Sequence, residues 1–344
     1  MKRLRISSTR PEPALLGLGL LAALAALLSL CLGAAAVPPG EVLAALLGRG
    51  SGPAARIILY ARLPRTCGCL LAGAALAVSG TVIQGVLGNP LAAPNVIGVN
   101  AGAGFFTAIC AALWPTWTAA VPFAAFLGAL GGVLLVLFIA ERTGASRMTL
   151  VLAGVAVSGM FSAGIDAVLT LYPDALNGYT DFRVGGVANL AMSRILPAFW
   201  VVLAAFLLVL SLAGEMDVLL LGEETARSLG LPARPLRLVL LALAAALAGA
   251  AVSFAGLLGF VGLIAPHMTR RLVGEDSSAR LVLAAALGGA GLLTLCDIVA
   301  RTIFAPYELP VGVVLSLLGG PFFIWLLVRQ KSRPSRRRKE AGRA

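Results

Sequence analysis

Between Lys2 and Lys331 the chain contains no lysine. A soluble chain of 344 residues would scatter lysines over its surface, so most of this surface faces a solvent other than water. The same gap excludes a P-loop nucleotide site, whose lysine must reach the β- and γ-phosphates. Charge is sparse altogether, with Asp, Glu, Lys and Arg at 12%. Histidine occurs once, and the five cysteines form no Cys-x2-Cys pair. No zinc or haem-ligand cluster can be assembled from such a set, so no cofactor is called for. Cys31, Cys67, Cys69, Cys110 and Cys296 read as small packing residues.

What fills the chain is hydrocarbon. Apolar residues make 59% and mean hydropathy is +0.96. Ten runs approach or exceed the ~20 residues that cross a bilayer core. They lie at about 13–35, 66–87, 96–114, 119–140, 148–171, 195–213, 236–255, 257–272, 280–300 and 311–328. Continuous rather than alternating apolarity excludes a β-barrel. The fold class is therefore an all-α membrane protein of about ten transmembrane helices. No long polar linker divides residues 1–344, which form a single membrane domain. Gly98-x3-Gly102, Gly128-x3-Gly132 and Ala284-x3-Gly288 have the spacing that lets helix backbones approach closely.

The net charge of +12 is not a nucleic-acid signature, because its distribution follows the membrane. With the N-terminus inside, ten spans leave only Arg49, Arg56, Arg62, Arg65, Arg183, Arg194 and Arg301 outside, out of 27 Lys and Arg. That is the positive-inside bias of a membrane protein with both termini in the cytoplasm. Segments 1–12 and 329–344 read as basic tails near anionic lipid. The first span reads as uncleaved, since its apolar stretch exceeds the 7–15 residues of a signal-peptide core. Leu30 stands where a lipoprotein signal would place a small residue before Cys31.

A weak internal echo runs at an offset of 176: Ala72-Gly73-Ala74-Ala75, Gly80, Leu87 and Pro90 recur as Ala248-Gly249-Ala250-Ala251, Gly256, Leu263 and Pro266. In this topology the copies are inverted, as in many transporters. Three stretches do not span. Residues 37–65 and 173–194 lie outside. Residues 214–235 lie inside and read as two short helices broken at Gly230 and Pro232. Glu223, Glu224 and Arg227 share a polar face at helical spacing, between Gly222 and Gly230. Asp166 and Asp297 sit within apolar spans, where a charge is costly and marks function or a partner. Arg301, four residues on, is the economical partner of Asp297, whereas Asp166 has none in its own sequence neighbourhood.

Ordered motifs run through the chain: RLPRT at 62–66, AGAALAVSGTVIQGVLGNPLAAPNVIGVNAGAG at 72–104, LAGVAVSG at 152–159, LGEETARSLGL at 221–231, GFVGLIAPHMTRRLVGED at 259–276, DIVAR at 297–301 and ELPVGVVLSLLGGPFFIWLL at 308–327. By these the chain resembles the FecCD-type permeases, membrane subunits of ABC importers for iron chelates, haem and cobalamin. The resemblance implies an inverted-repeat importer fold. It also implies a second permease copy, two cytoplasmic ABC ATPase subunits and an extracytoplasmic substrate-binding protein as partners. It assigns Arg62, Arg65 and Arg301 to docking of the binding protein, and Gly222, Glu223, Glu224, Arg227 and Gly230 to ATPase coupling. It places Asn89, Pro90, Leu91 and Pro94 in a cytoplasmic gate. Arg183 is a candidate substrate contact, because a cation would attract anionic chelates. One departure is Phe182-Arg183-Val184-Gly185-Gly186, where the family often has a tryptophan before the glycines. The expected function is import of a ferric siderophore. Haem and cobalamin remain alternatives, as do a proton-coupled carrier using Asp166 and Asp297 and a receptor or scaffold without transport.

Overall fold

A backbone in hydrocarbon must satisfy its own hydrogen bonds, and the apolar runs do so as helices. A computed structural model describes residues 11–33, 35–143 and 147–331, and every regular element among them is helical. The two basic tails lie almost wholly outside these residues. In chain order the helices are α1 (Pro11–Cys31), α2 (Pro39–Leu46), α3 (Pro53–Ile57), α4 (Leu63–Leu87) and α5 (Val99–Leu113). Next come α6 (Val121–Arg142), α7 (Arg147–Leu171), α8 (Ala175–Val184), α9 (Met192–Ser211) and α10 (Ala213–Leu220). The last are α11 (Glu223–Ser228), α12 (Ala233–Ala255), α13 (Val261–Val273), α14 (Ser278–Thr302) and α15 (Val311–Lys331).

Ten helices (α1, α4, α5, α6, α7, α9, α12, α13, α14 and α15) fall on the ten expected spans. Eight are long and apolar enough to cross a membrane. The other two, α5 with 15 residues and α13 with 13, are shorter than a bilayer core and pack against longer helices.

Three local differences from the sequence reading stand out. The Arg62–Arg65 motif, within the 37–65 stretch read as non-spanning, is helical throughout, because α3 runs into α4 through one wide π turn at Ile58–Arg62. Leu63 N–H bonds back to Ile58 C=O, which offsets the ladder by one residue just before Pro64, the residue that has no N–H to give. The 173–194 stretch, read only as lying outside, holds α8. Ala175, Tyr179 and Phe182 bury one helical face at i, i+4 and i+7. The internal echo falls on matching elements only in part, since residues 72–75 lie within α4 and residues 248–251 within α12. Gly80 lies inside α4, while Gly256 ends α12 with φ +70°.

Of the long spans α4 is the most enclosed, packed by α12, α13 and α14. Small residues permit this. A Cβ on Gly73 would strike the Gly289 carbonyl of α14, and one on Gly80 the Gly262 carbonyl of α13. Gly98 and Gly102 meet Gly128 and Gly132 in the same way where α5 crosses α6, as the small-x3-small spacing predicts. Large apolar side chains face outward on α1, α6 and α9, among them Leu16, Leu20, Phe123, Leu127, Trp200 and Leu207. One end of the bundle gathers α10, α11, the 88–98 loop and the ends of α6, α13 and α15. The opposite end gathers α2, α3, α8 and the 303–310 loop.

Candidate functional site

At the first of these ends the 214–235 segment folds as the two short helices expected. Ala213, Met216 and Leu219 bury one face of α10 against α4 and α14. Gly222, at φ +114°, redirects the chain into α11, and Gly230, at φ +82°, ends it. Gly230 N–H donates to Arg227 C=O at 2.9 Å and Leu231 N–H to Ala226 C=O at 2.9 Å, satisfying the last carbonyls. Glu223 does not simply face solvent. Its carboxylate accepts from Arg227 at 2.6 Å on one oxygen and from buried Arg237 of α12 at 2.6 Å on the other. The Arg237 hydrogen bond, reinforced by both guanidinium charges, holds the Glu223 carboxyl below its ordinary range. Asp217 of α10 accepts Ser278 N–H at 2.8 Å and so caps α14 from another element. The outward face carries Glu224, Arg227, Leu220, Leu221 and Leu229, all exposed. A short, rigid, mixed apolar and charged knob is thus bolted to two long helices.

Beside it lies the 88–98 loop. Gly88 turns left-handed, Asn89 Oδ1 accepts Leu91 N–H at 2.9 Å, and Pro94 opens the short 3-10 turn Pro94–Ile97. Asn89 and Pro90 are exposed, Leu91 is half-buried and Pro94 is buried. A buried bridge secures the helix ends next to it. Gln84 Oε1 accepts from Arg270 at 2.7 Å and Gln84 Nε2 donates to Gly262 C=O at 3.2 Å. The sequence reading missed Gln84, although an amide inside an apolar span is a visible signal.

The opposite end holds the three outer arginines. Arg62, Arg65 and Arg301 do not present free guanidinium groups, because all three are buried. Arg62 donates to Leu30 C=O at 2.7 Å, to Cys31 C=O at 2.8 Å and to Ala35 C=O, capping the carbonyl end of α1. Arg65 forks onto Asp297 at 2.9–3.1 Å and reaches half-exposed Glu308 at 2.6 Å. Arg301 donates to Ser29 C=O at 2.7 Å and Ser29 Oγ at 2.6 Å, and Ser29 Oγ bonds Thr66 Oγ1 at 2.7 Å. The principal partner of Asp297 is therefore Arg65 of α4. Arg301 is only a 3.6 Å neighbour of that carboxylate. Bidentate pairing is what makes a buried carboxylate tolerable here.

Asp166 caps nothing. It is exposed on α7, and its carboxylate has no hydrogen bond or ion pair among the described residues. Arg183 is exposed in the last turn of α8. The structure thus groups Gly222, Glu223, Glu224, Arg227 and Gly230 with the 88–94 loop at one end. Arg62, Arg65, Arg301 and Arg183 lie at the other.

The FecCD transport family matches residues 20–329 of the chain. The Fe(3+)-citrate import system permease protein of Bacillus subtilis (strain 168) is 36% identical over 329 residues, spanning 95% of this chain and 98% of that one. The hemin transport system permease protein of Yersinia pestis is 39% identical over 291 residues, covering 81% and 85%. A solved inward-facing structure of a metal-chelate type ABC transporter superposes with a TM-score of 0.82 at 30% identity, covering 92% of this chain and 99% of that one.

Proposed function

The chain belongs to the FecCD transport family, and from that premise we propose that it carries ferric siderophores inward across the bacterial cytoplasmic membrane. It is a permease subunit of an ABC importer, an integral membrane transport protein and not an enzyme. The observation that carries the mechanism is the anchored α10–α11 knob. A soluble ATPase seats on Glu224, Arg227 and the exposed leucines 221 and 229. Movement of that knob passes to α12 through Glu223–Arg237 and to α14 through Asp217–Ser278. Two copies of the chain face each other around the pathway, and the 88–98 loop closes it on the cytoplasmic side. On this reading both termini lie in the cytoplasm. The substrate-binding protein docks at the opposite end. Arg62, Arg65 and Arg301 serve that docking from beneath, by holding the outer ends of α1, α4 and α14 in place.

Iron chelates are favoured as cargo because relatives named for ferric citrate, hemin and ferric hydroxamate all match at 36–39% identity. Hemin is the second reading, on the Yersinia relative. A proton-coupled carrier built on Asp166 and Asp297 is set aside by the family and by the ion pair that holds Asp297.

The test is reconstitution with the cognate ATPase and binding protein in proteoliposomes. ATP-dependent uptake of ferric hydroxamate, ferric citrate, hemin and cobalamin is compared. Uptake of hemin or cobalamin alone rejects the siderophore assignment. Uptake by the permease alone under a pH gradient rejects the ABC mechanism. Glu223→Arg with Glu224→Arg keeps membrane insertion and binding-protein capture but loses ATPase co-purification.

A further inference from the structure

Two arginines one turn apart at the start of α12 hold different helices. Arg237 grips Glu223 of α11 at 2.6 Å. Arg234, three residues earlier and so its neighbour on the helix surface, reaches α6 instead. Its Nη2 donates to the Glu141 backbone C=O at 3.0 Å and lies 3.2 Å from Glu141 Oε1. Glu141 stands in the last turn of α6, where carbonyls lack partners within the helix and a cation is favoured. The first turn of α12 thus holds the α10–α11 knob with one arginine and the inner end of α6 with the other. The second pair adds little to the stability of the chain, because both of its side chains are half-exposed.

What α6 touches next says what the pair is for. A Cβ on Gly132 of α6 would lie 2.8 Å from the Gly98 carbonyl oxygen, and a Cβ on Gly154 of α7 would strike the Val96 carbonyl. The 94–98 turn is therefore clasped between α6 and α7, backbone against backbone, and side-chain rotation cannot absorb a shift of either helix. The knob itself packs on α4, α9, α12 and α14. Its route to this turn by way of α6 runs through α12. Midway along, α6 is held close to α12 at Gly249, where an added Cβ would lie 3.0 Å from Ala129 Cβ. The Arg234–Glu141 pair sits roughly 20 Å along the helices from that contact. A tilt of α6 by about ten degrees around it would carry the inner end roughly 3 Å.

We propose that Arg234 and Glu141 are positioning residues that pass movement of the α10–α11 knob to the 88–98 loop, by tying the inner end of α6 to the start of α12. With the tie made, that end follows α12 and takes the 94–98 turn with it. With the tie broken, the knob moves α12 while α6 tilts independently. The inference rests on the reading of the knob as the ATPase seat and of the 88–98 loop as the cytoplasmic closure.

The experiment uses the full chain co-purified with its ATPase and reconstituted with the binding protein. Arg234→Gln and Glu141→Ala should each raise the ATP hydrolysed per ferric hydroxamate imported by about two- to fivefold, the bias that a half-exposed ion pair can place on an equilibrium. Because the two residues act as one tie, the double variant should be no worse than either single one. Arg234→Glu with Glu141→Arg rebuilds the pair with its charges exchanged and should recover most of the loss. ATPase co-purification should be unchanged, and each melting temperature should stay within about 2 °C of the native chain. An unchanged ratio in both single variants makes this a surface ion pair and overturns the proposal. A larger fall in melting temperature, or a loss of folded protein, overturns it in favour of a purely structural role. Loss of ATPase co-purification also overturns it, by placing Arg234 in the seat itself. If the native complex imports none of the cargoes, the siderophore reading fails by itself. The tie is then read from the stimulation of ATP hydrolysis by the binding protein, which each single variant should lower and an idle pair would leave unchanged.

Discussion

Replacing Asp297 with Asn is the sharpest probe of the outer end. Asn keeps the volume and one acceptor oxygen but removes the charge that Arg65 grips with a fork and Arg301 approaches at 3.6 Å. Asp297 is fully buried and Arg65 and Arg301 nearly so, so water cannot take over. Glu308 still reaches Arg65 at 2.6 Å but from a partly exposed position. Breaking a buried pair by removing one partner costs about 3–5 kcal/mol, and the retained Asn acceptor places this variant near the lower bound. Replacing both partners, Arg65→Met with Asp297→Leu, leaves no buried half-pair between α4 and α14. Pairs replaced by apolar residues are often neutral or better, so the double variant should lose less than half as much. A coupling energy of about 2 kcal/mol is expected from the cycle. Reversible unfolding in mixed detergent and SDS micelles measures all the variants. A loss under about 0.5 kcal/mol for Asp297→Asn, at the level of a surface substitution, would refute the argument. The arginines would then be free for the acidic surface of a docking protein, as the family resemblance implied.

Three further outcomes follow from the geometry. Gly80→Leu, whose Cβ would collide with the Gly262 carbonyl, should separate α4 from α13 and cost about 1–3 kcal/mol or more, seen as lower yield and a lower melting temperature. Asp217→Ala should uncap α14 and cost about 0.5–2 kcal/mol while raising ATP hydrolysed per molecule imported, and Asp217→Asn, which keeps an acceptor, should restore both. Glu223 has its folded pKa below its ordinary value of 4.5, so its stabilisation is present above that value and is lost as pH falls through the folded pKa. The melting-temperature gap between the native chain and Glu223→Gln should therefore hold from pH 7 down to about 4.5 and close only below it, whereas a gap that closes near neutral pH would contradict the Arg237 contact.

Much was legible from residues alone because the relevant physics is local. A lysine-free apolar run needs no partner to declare its solvent, and a bilayer fixes how many residues cross it. Glycines three and four apart mark a helix face wherever the helix goes, and Gly98, Gly102, Gly128 and Gly132 did meet across α5 and α6. Gly222 and Gly230 bracketed α11 through backbone conformations that are properties of the residues themselves. The sequence by itself thus determined the membrane class, the ten helices and the short charged segment between α9 and α12. The choice among charge partners was decided only in the tertiary structure. Spacing offered Arg301 to Asp297, yet packing brought Arg65 from 232 positions away and turned Arg301 to Ser29. Glu223 likewise faces Arg237 across a helix boundary as well as Arg227 in its own turn. A buried ion takes the counter-ion that close-packed backbones deliver to it. Which one arrives depends on contacts between helices distant in the chain, such as Gly73 of α4 against Gly289 of α14.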